Sequence, residues 1–237
     1  MWTLVFGIFI MYTITLNGNS SELSCDIFPP LEVDKTAQLC LLSLQTNNSI
    51  PNIELGCNTI SFSDSTSITI PTGTYELNEL ESVIQYLLLN TPVLFKLKAN
   101  GNTLKCIMRC SHDVNFTVEN NISKLLGFEN KIYTTGEHES DKMVNIMKVN
   151  CIKIDCNLIS GSFNDGTPSQ TIYEFYPSVP AGYKIIETPR HPVFYSLNST
   201  SISKVDIVLK DQDDNLINLR EHLITIRLQI KQKNYGS

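Results

Sequence analysis

The chain has 237 residues, of which 42% are hydrophobic and 18% charged, and its formal net charge is −6. This low charged fraction excludes a highly charged disordered chain, and 11 glycines and 10 prolines exclude collagen-like or low-complexity sequence. The acidic balance argues against nucleic-acid binding by the whole surface. The length fits one all-β domain that can bury its own core.

The first eleven residues, MWTLVFGIFIM, are apolar and uncharged. They resemble the hydrophobic part of a signal peptide, although no basic residue precedes them and no small-residue cleavage site follows. The stretch is too short to span a bilayer, which needs about 20 apolar residues. Two interpretations stay open: a weak signal or anchor, or a dispensable extension before a strand that begins near Met11. We favour the extension.

The number and spacing of the cysteines indicate whether the protein resides in a reducing or an oxidising compartment. The chain has seven cysteines, an odd number, with no CxxC pair: Cys25, Cys40, Cys57, Cys106, Cys110, Cys151 and Cys156. Several alternate with apolar residues, and a free cysteine behaves as a small buried hydrophobe. We therefore predict reduced thiols in the core, with disulfides as the alternative. Five N-x-S/T sites do not decide the question, because a chain rich in Asn, Ser and Thr contains several by chance.

Strand patterns run through the chain, with apolar and polar residues alternating so that one face turns to a core. An Asn100-Gly101 pair between two alternating runs predicts a hairpin whose turn residues take positive φ. Prolines bound many of the segments. The predicted strands are 11–16, 37–44, 59–62, 67–70, 95–98, 104–107, 144–158, 170–175, 183–187, 193–197, 205–210 and 224–231.

Two short helices interrupt the strands. The first follows apolar residues spaced three and four apart between Leu77 and Leu88, with Asn78 as the expected N-cap. The second spans Asn121 to Leu126, with Gly127 as a left-handed C-cap. Many short strands with proline- and asparagine-rich turns predict an all-β fold with two short helices, a jelly-roll β-sandwich of two antiparallel sheets. We divide the chain into an extension (1–11), one jelly-roll domain (12–231) and a tail (232–237).

The sequence contains no complete catalytic or metal-binding motif. No nucleophile elbow, Walker loop or dinucleotide fingerprint is present in the sequence. His138-Glu139 begins like a zinc-protease motif, but Lys142 stands where the second histidine belongs. The polar cluster around His138 is expected on a solvated loop. The sequence predicts no enzyme, no cofactor and no metal site.

Two further patterns also have ordinary explanations. Asp211, Asp213 and Asn215 have the spacing of a calcium loop, but its glycine and its final glutamate are replaced, which favours a turn. The aromatic residues Tyr173 and Phe175 alternate along a strand, which favours packing over a platform for nucleic-acid bases.

Several segments, taken in order, resemble one protein family. They are Asn48–Ile53, Ile70–Glu76, Asn102–Lys105, Asn121–Phe128, His138, Ser140-Asp141, Val144–Ile146, Ile172–Lys184, Asp211–Asp213 and Thr225–Leu228. Their order is similar to that of the single-jelly-roll penton (minor capsid) proteins of Polinton/Maverick transposable elements and adintoviruses, which are related to double-jelly-roll-like capsid proteins. The matching motif residues are Pro51, Gly73, Tyr75, Gly127, Phe128, Glu174, Phe175, Gly182, Asp211, Asp213 and Arg227.

The resemblance implies a structural virion component without catalytic residues. Such a subunit is expected to form a homopentamer at the vertices of an icosahedral shell, surrounded by a double-jelly-roll major capsid protein. It implies no small-molecule substrate and no direct nucleic-acid site. Assembly is expected inside the cell, in the cytoplasm or the nucleus.

The segment Pro177–Pro192 is the predicted subunit contact, because it is too rich in Tyr, Val and Pro for a free loop. The interface residues are expected to be Tyr176, Pro177, Val179, Pro180 and Tyr183. An internal strand with ordinary loops is the alternative for this segment. The sequence departs from the family pattern at Asp214, where a glycine is usual, and at His222, near which a glycine is expected.

Two other functional classes stay open. A secreted or membrane-anchored β-sandwich binding module would use the apolar residues 1–11, and it predicts disulfides and glycans. An enzyme on a jelly-roll scaffold would need a histidine and carboxylate metal set on neighbouring strands. The four histidines, at 112, 138, 191 and 222, mostly fall at expected turns, which disfavours the enzyme.

Overall fold

A computed structural model describes residues 9–233. Their contacts group into two compact units, described here separately. Unit 1 comprises residues 9–49 and 149–233, and unit 2 comprises residues 50–148. Unit 2 is thus an insertion in the sequence of unit 1. The single domain over 12–231 stays a prediction.

The described residues form nineteen strands and two helices. The strands of unit 1 are β1 (Phe9–Gly18), β2 (Glu22–Glu32), β3 (Gln38–Asn47), β11 (Ile152–Cys156), β12 (Ile159–Ser160), β13 (Ser162–Asn164), β14 (Thr167–Ser169), β15 (Thr171–Phe175), β16 (Lys184–Glu187), β17 (Tyr195–Leu197), β18 (Ser201–Lys210) and β19 (Ile224–Lys233). Unit 2 contains β4 (Thr59–Phe62), β5 (Ser67–Thr69), α1 (Leu77–Leu87), β6 (Phe95–Asn100), β7 (Lys105–Cys110), β8 (Val114–Asn115), α2 (Ser123–Leu126), β9 (Ile132–Tyr133) and β10 (Gly136–Met143).

Unit 1 has the strand order of a jelly roll. Its first sheet runs β1-β19-β3-β17-β12, with β16 also paired to β3, and its second sheet runs β15-β11-β18-β2. All the pairings are antiparallel. Chain-adjacent strands such as β1 and β2, or β18 and β19, therefore lie in different sheets, as the two Greek keys of a jelly roll require. The predicted jelly-roll β-sandwich is confirmed.

The core of unit 1 follows the predicted alternation. In β19, the side chains of Ile224, Ile226, Leu228 and Ile230 are fully buried. The residues between them are half-buried or exposed, as in a strand with one face on the core. The strand is paired on both sides, with β1 and β3, so it is central in its sheet.

Unit 2 has its own core, built from two antiparallel sheets and α1. The sheets run β10-β7-β6 and β5-β4-β8-β9. Leu80 and Ile84 of α1 are fully buried in the same cluster as Met108 and Phe116. Phe128 stacks on Phe116 with ring centroids 5.7 Å apart.

Two local predictions are corrected. Helix α1 is capped by Glu76 rather than by Asn78, because the Glu79 carboxylate accepts a bond from the Glu76 N–H at 3.0 Å. The hairpin β6–β7 is present, but its connection is longer than a two-residue turn. Leu104, not Gly101, takes the positive φ (56°), and its N–H donates to the Asn100 carbonyl at 2.8 Å.

The predicted strand Val144–Leu158 is wrong in its first half, since only Ile152–Cys156 is a strand. The N–H of Val144 donates to the Leu104 carbonyl in the β6–β7 connection, and that of Asn145 donates to the Leu125 carbonyl in α2, so this backbone does not join a strand ladder. The predicted loop around His138 is also wrong. It is strand β10, in which His138 pairs with Met108 of β7. Where the register shifts beyond Glu139, the buried Ser140 hydroxyl accepts a bond from the Cys106 N–H.

Strand β1 begins at Phe9, inside the predicted extension 1–11, and Phe9 pairs with Lys233 in the predicted tail. Residues 1–8 lie outside the described residues. No helix among residues 9–233 is both long and apolar enough to cross a membrane.

Candidate functional site

The predicted contact segment lies on one side of unit 1 and includes strand β16, which pairs with β3. Tyr176 and Tyr183 are 69% and 65% exposed, which is unusual for tyrosines within a folded domain. Pro177 and Val179 are half-buried, and Pro180 is exposed. The two tyrosines are therefore free to contact another molecule, while the residues between them are partly held by the protein.

The backbone of this segment is fixed by Asn48. The side-chain amide of Asn48 donates to the Val179 carbonyl at 2.7 Å. The backbone N–H of Asn48 donates to the Tyr183 carbonyl at 2.8 Å. The Gly182 N–H donates back to the Asn48 carbonyl at 2.7 Å. Gly182 has φ of +82° at the third position of a turn closed by a bond from the Tyr183 N–H to the Pro180 carbonyl. Tyr183 is thereby presented on a rigid turn.

Two apolar residues further along the chain are also exposed. Ile186 on β16 is 61% exposed, and Val193 before β17 is 56% exposed. We call the four residues Tyr176, Tyr183, Ile186 and Val193 the tyrosine margin. Exposed cations, Lys184 and Arg190, lie in the same stretch of chain.

A hydrogen bond joins the two sheets on this side. The Tyr173 hydroxyl on β15 donates to the Glu187 carboxylate on β16 at 2.7 Å. Burial and this bond raise the pKa of Tyr173 to about 12, so it stays a neutral donor near neutral pH. Tyr173 also stacks on Phe175, with ring centroids 6.3 Å apart, which agrees with the packing role expected from the sequence.

A second apolar surface lies where β1 and β2 approach each other. We call it the β1–β2 groove, and its lining is mostly apolar: Met11, Tyr12, Thr13, Ile14, Ile27, Pro29, Pro30, Leu31 and Glu32. Tyr12, Ile14, Ile27 and Leu31 are half-buried. Sequence reasoning missed this groove, because alternating Ile and Tyr look like ordinary core residues. The available signal was the absence of any charged residue from Phe9 to Gly18.

The motif residues in unit 2 have structural roles. A Cβ on Gly73 would lie 2.9 Å from the Tyr75 ring, so a larger residue there would require the ring to move. The Tyr75 hydroxyl donates to the Pro71 carbonyl at 2.8 Å. Gly127 ends α2 with φ of +80°, as predicted, and Phe128 and Pro51 are buried.

The motif residues in unit 1 are also structural. Asp211 is buried, and one carboxylate oxygen accepts bonds from the N–H groups of Asp213 and Asn215, at 2.8 and 2.9 Å. This is a side-chain-capped turn, as favoured over a calcium loop. Phe175 is buried, whereas Glu174 and Arg227 are exposed. Among residues 9–233, no group of three or more His, Cys, Asp or Glu side chains is arranged to hold a metal ion.

The chain is similar to solved structures but to no protein family or curated protein. No protein-family model matches the chain, and no curated protein is similar to it. A solved structure, the crystal structure of selenomethionine-labelled mavirus penton protein, is similar with a TM-score of 0.48 and 10% sequence identity. The alignment covers 96% of this chain and 100% of that one. A likeness this low carries no functional argument, so the jelly-roll assignment rests on the strand order.

Proposed function

We propose that the chain is a structural subunit of an icosahedral, virus-like shell, of the penton type found in Polinton/Maverick elements. The observation that carries the proposal is a jelly-roll unit whose predicted contact segment forms an exposed apolar margin. A penton subunit would act as a ring, expected to be a homopentamer, within a lattice of double-jelly-roll major capsid subunits.

The physical reason is the cost of exposed apolar surface. A soluble monomer seldom keeps large apolar side chains together on its surface unless they meet a partner. Tyr176 and Tyr183 are both about two-thirds exposed. The bonds from Asn48 fix the turn that carries Tyr183, so little conformational entropy is lost when a neighbour binds.

The thiols are compatible with assembly inside the cell. All seven cysteines are free, five of them buried and two half-buried. Reduced cysteines of this kind are typical of cytosolic and nuclear proteins. The proposed location is therefore a shell assembled in the cytoplasm or the nucleus.

Co-expression with the double-jelly-roll capsid protein of the same genome tests the proposal. The chain should copurify with closed particles, and cryo-electron microscopy should place it at the fivefold vertices. A Tyr183→Asp variant should fold, with an unchanged circular dichroism spectrum, but be lost from the particles. Particles that form with empty vertices while the wild-type chain stays free in solution would overturn the proposal.

A further inference from the structure

We infer that the β1–β2 groove of one copy is the site into which the tyrosine margin of a second copy packs. The inference rests on the proposed function, because it specifies the contact between neighbouring subunits of the ring. Unlike the predicted contact segment, the groove was not apparent from the sequence.

The groove is an opening into the apolar core of unit 1. Tyr12, Ile14 and Ile27 follow the alternation of core residues in β1 and β2, yet each remains half-buried. Beside them, Met11 is 60% exposed. Apolar side chains from another molecule would complete their burial, at a gain of roughly 25 cal/mol for each Å² removed from water.

Strand β1 also lacks the usual protection of an edge strand. Within residues 9–233 it pairs only with β19, and its ten residues include no charged residue and no proline. In contrast, the edge strand β6 carries exposed Lys96 and Lys98. On the β2 side of the groove, Pro29 and Pro30 prevent strand pairing, so the unprotected edge is that of β1. Proteins place lysine and proline on free edges to prevent association. An edge without them is expected where association is functional.

The tyrosine margin fits this groove in chemistry and in charge. Its exposed apolar residues match the apolar lining of the groove. The one charged residue that lines the groove is an acid, Glu32. Beside the margin, two exposed cations, Lys184 and Arg190, outnumber the one exposed acid, Glu174, so the margin is net positive. Opposite charges around apolar centres favour this pairing over groove-to-groove or margin-to-margin contact.

The two surfaces also lie on opposite sides of unit 1. Strands β1 and β2 are the edge strands on one side of the two sheets. Strands β15 and β16, which the Tyr173–Glu187 hydrogen bond joins, lie on the opposite side. A contact between different surfaces on opposite sides is heterologous, so each bound copy still offers one free groove and one free margin. Such contacts close into a ring if the rotation allows it.

Complementary blocking variants test the inference by sedimentation velocity and native mass spectrometry. Met11→Lys, with Leu31→Lys as a second variant, blocks the groove. Tyr183→Asp, with Ile186→Lys as a second variant, blocks the margin. Leu94→Lys is the matched control, since Leu94 is 74% exposed and lies in unit 2. Each blocking variant should weaken self-association at least about tenfold, as expected for a charge placed in an apolar contact, and the control should not.

A mixture of the two kinds of blocked chain tests whether the groove of one copy binds the margin of another. A groove-blocked chain and a margin-blocked chain retain one compatible pair of surfaces, so together they should form a 1:1 dimer and nothing larger. Blocked chains that assemble like the wild type, or mixtures that stay monomeric while the wild type assembles, would overturn the inference and leave the proposed function standing. A wild-type chain that stays monomeric at every concentration would also overturn it, whereas incorporation into particles would still decide the proposed function.

Discussion

The Lys153 ammonium group forms an ion pair with Asp214 at 3.1 Å and also donates to the Gln212 carbonyl at 3.2 Å. Lys153 is buried, and the hydrogen bond to Asp214 raises its pKa. Asp214 has φ of +63°, a conformation that favours glycine, and it stands where the resembling family usually has glycine. Here an aspartate occupies the left-handed position and supplies the carboxylate for a buried lysine.

The first prediction concerns this pair. Asp214→Gly relieves the positive φ but leaves the buried lysine without its carboxylate. We expect a net loss of about 1–3 kcal/mol in the free energy of unfolding, less than for a fully buried pair because Asp214 is largely exposed. Urea denaturation measures the change. Asp214→Asn is the control, because asparagine also adopts a positive φ and the variant loses only the negative charge. A glycine variant as stable as the wild type would contradict the prediction.

The second prediction concerns Gly127, whose added Cβ would clash with the backbone carbonyl of Lys142. Gly127→Ala should destabilise the protein by at least about 2 kcal/mol, because left-handed strain and the clash add. Gly166→Ala, at a similar φ of +78° but with nothing within 4 Å, should show the strain alone. Thermal unfolding compares the two, and equal losses would show that the clash does not matter.

The third prediction concerns pH and Asp141. The Tyr133 hydroxyl and then the Lys131 ammonium group donate to its carboxylate, and these bonds hold the pKa of Asp141 well below its usual range. A depressed carboxyl pKa contributes stability that is present above the unfolded value, about 3.9, and is lost as pH falls toward the folded value.

Asp141→Asn should therefore lower the Tm near pH 6 and have progressively less effect below pH 4. Thermal unfolding of both proteins from pH 2.5 to pH 7 gives the comparison. A Tm difference that stays constant over this range would mean that ionisation of Asp141 contributes nothing to stability.

The fourth prediction concerns the thiols. Burial raises the pKa of Cys106 to about 12 and that of Cys156 to about 11, so neither forms appreciable thiolate at pH 8. A thiol reagent should react quickly with no more than the two half-buried cysteines, Cys25 and Cys57, and with all seven after denaturation. Fewer than seven reactive thiols in the denatured, unreduced chain would indicate disulfides and favour the secreted binding module.

Local patterns predicted most of the strands, because alternation depends only on which face is buried. Ile224 to Ile230 and the Gly127 cap are examples. Long-range partners were harder to predict. His138 lies on a strand because β10 pairs with β7, where its partner is Met108, a residue distant in sequence. The groove depends on β1 meeting β2 across two sheets, which no local pattern specifies.

The role of the predicted contact residues in an interface stays a prediction. Composition suggested the segment Pro177–Pro192 as a contact, and the structure shows only that Tyr176 and Tyr183 are exposed. Val179 and Pro177 are instead half-buried, and the Val179 carbonyl accepts a bond from the Asn48 side chain. Whether a neighbour covers the two tyrosines stays a prediction.

Native mass spectrometry of the purified wild-type chain most directly tests whether it is a ring-forming shell subunit. The predicted result is a complex of five copies at micromolar concentration, reduced to folded monomers by Tyr183→Asp. A wild-type chain that is monomeric throughout would contradict the proposed ring, whereas a Tyr183→Asp chain that still forms the same complex would contradict only the contact through the tyrosine margin.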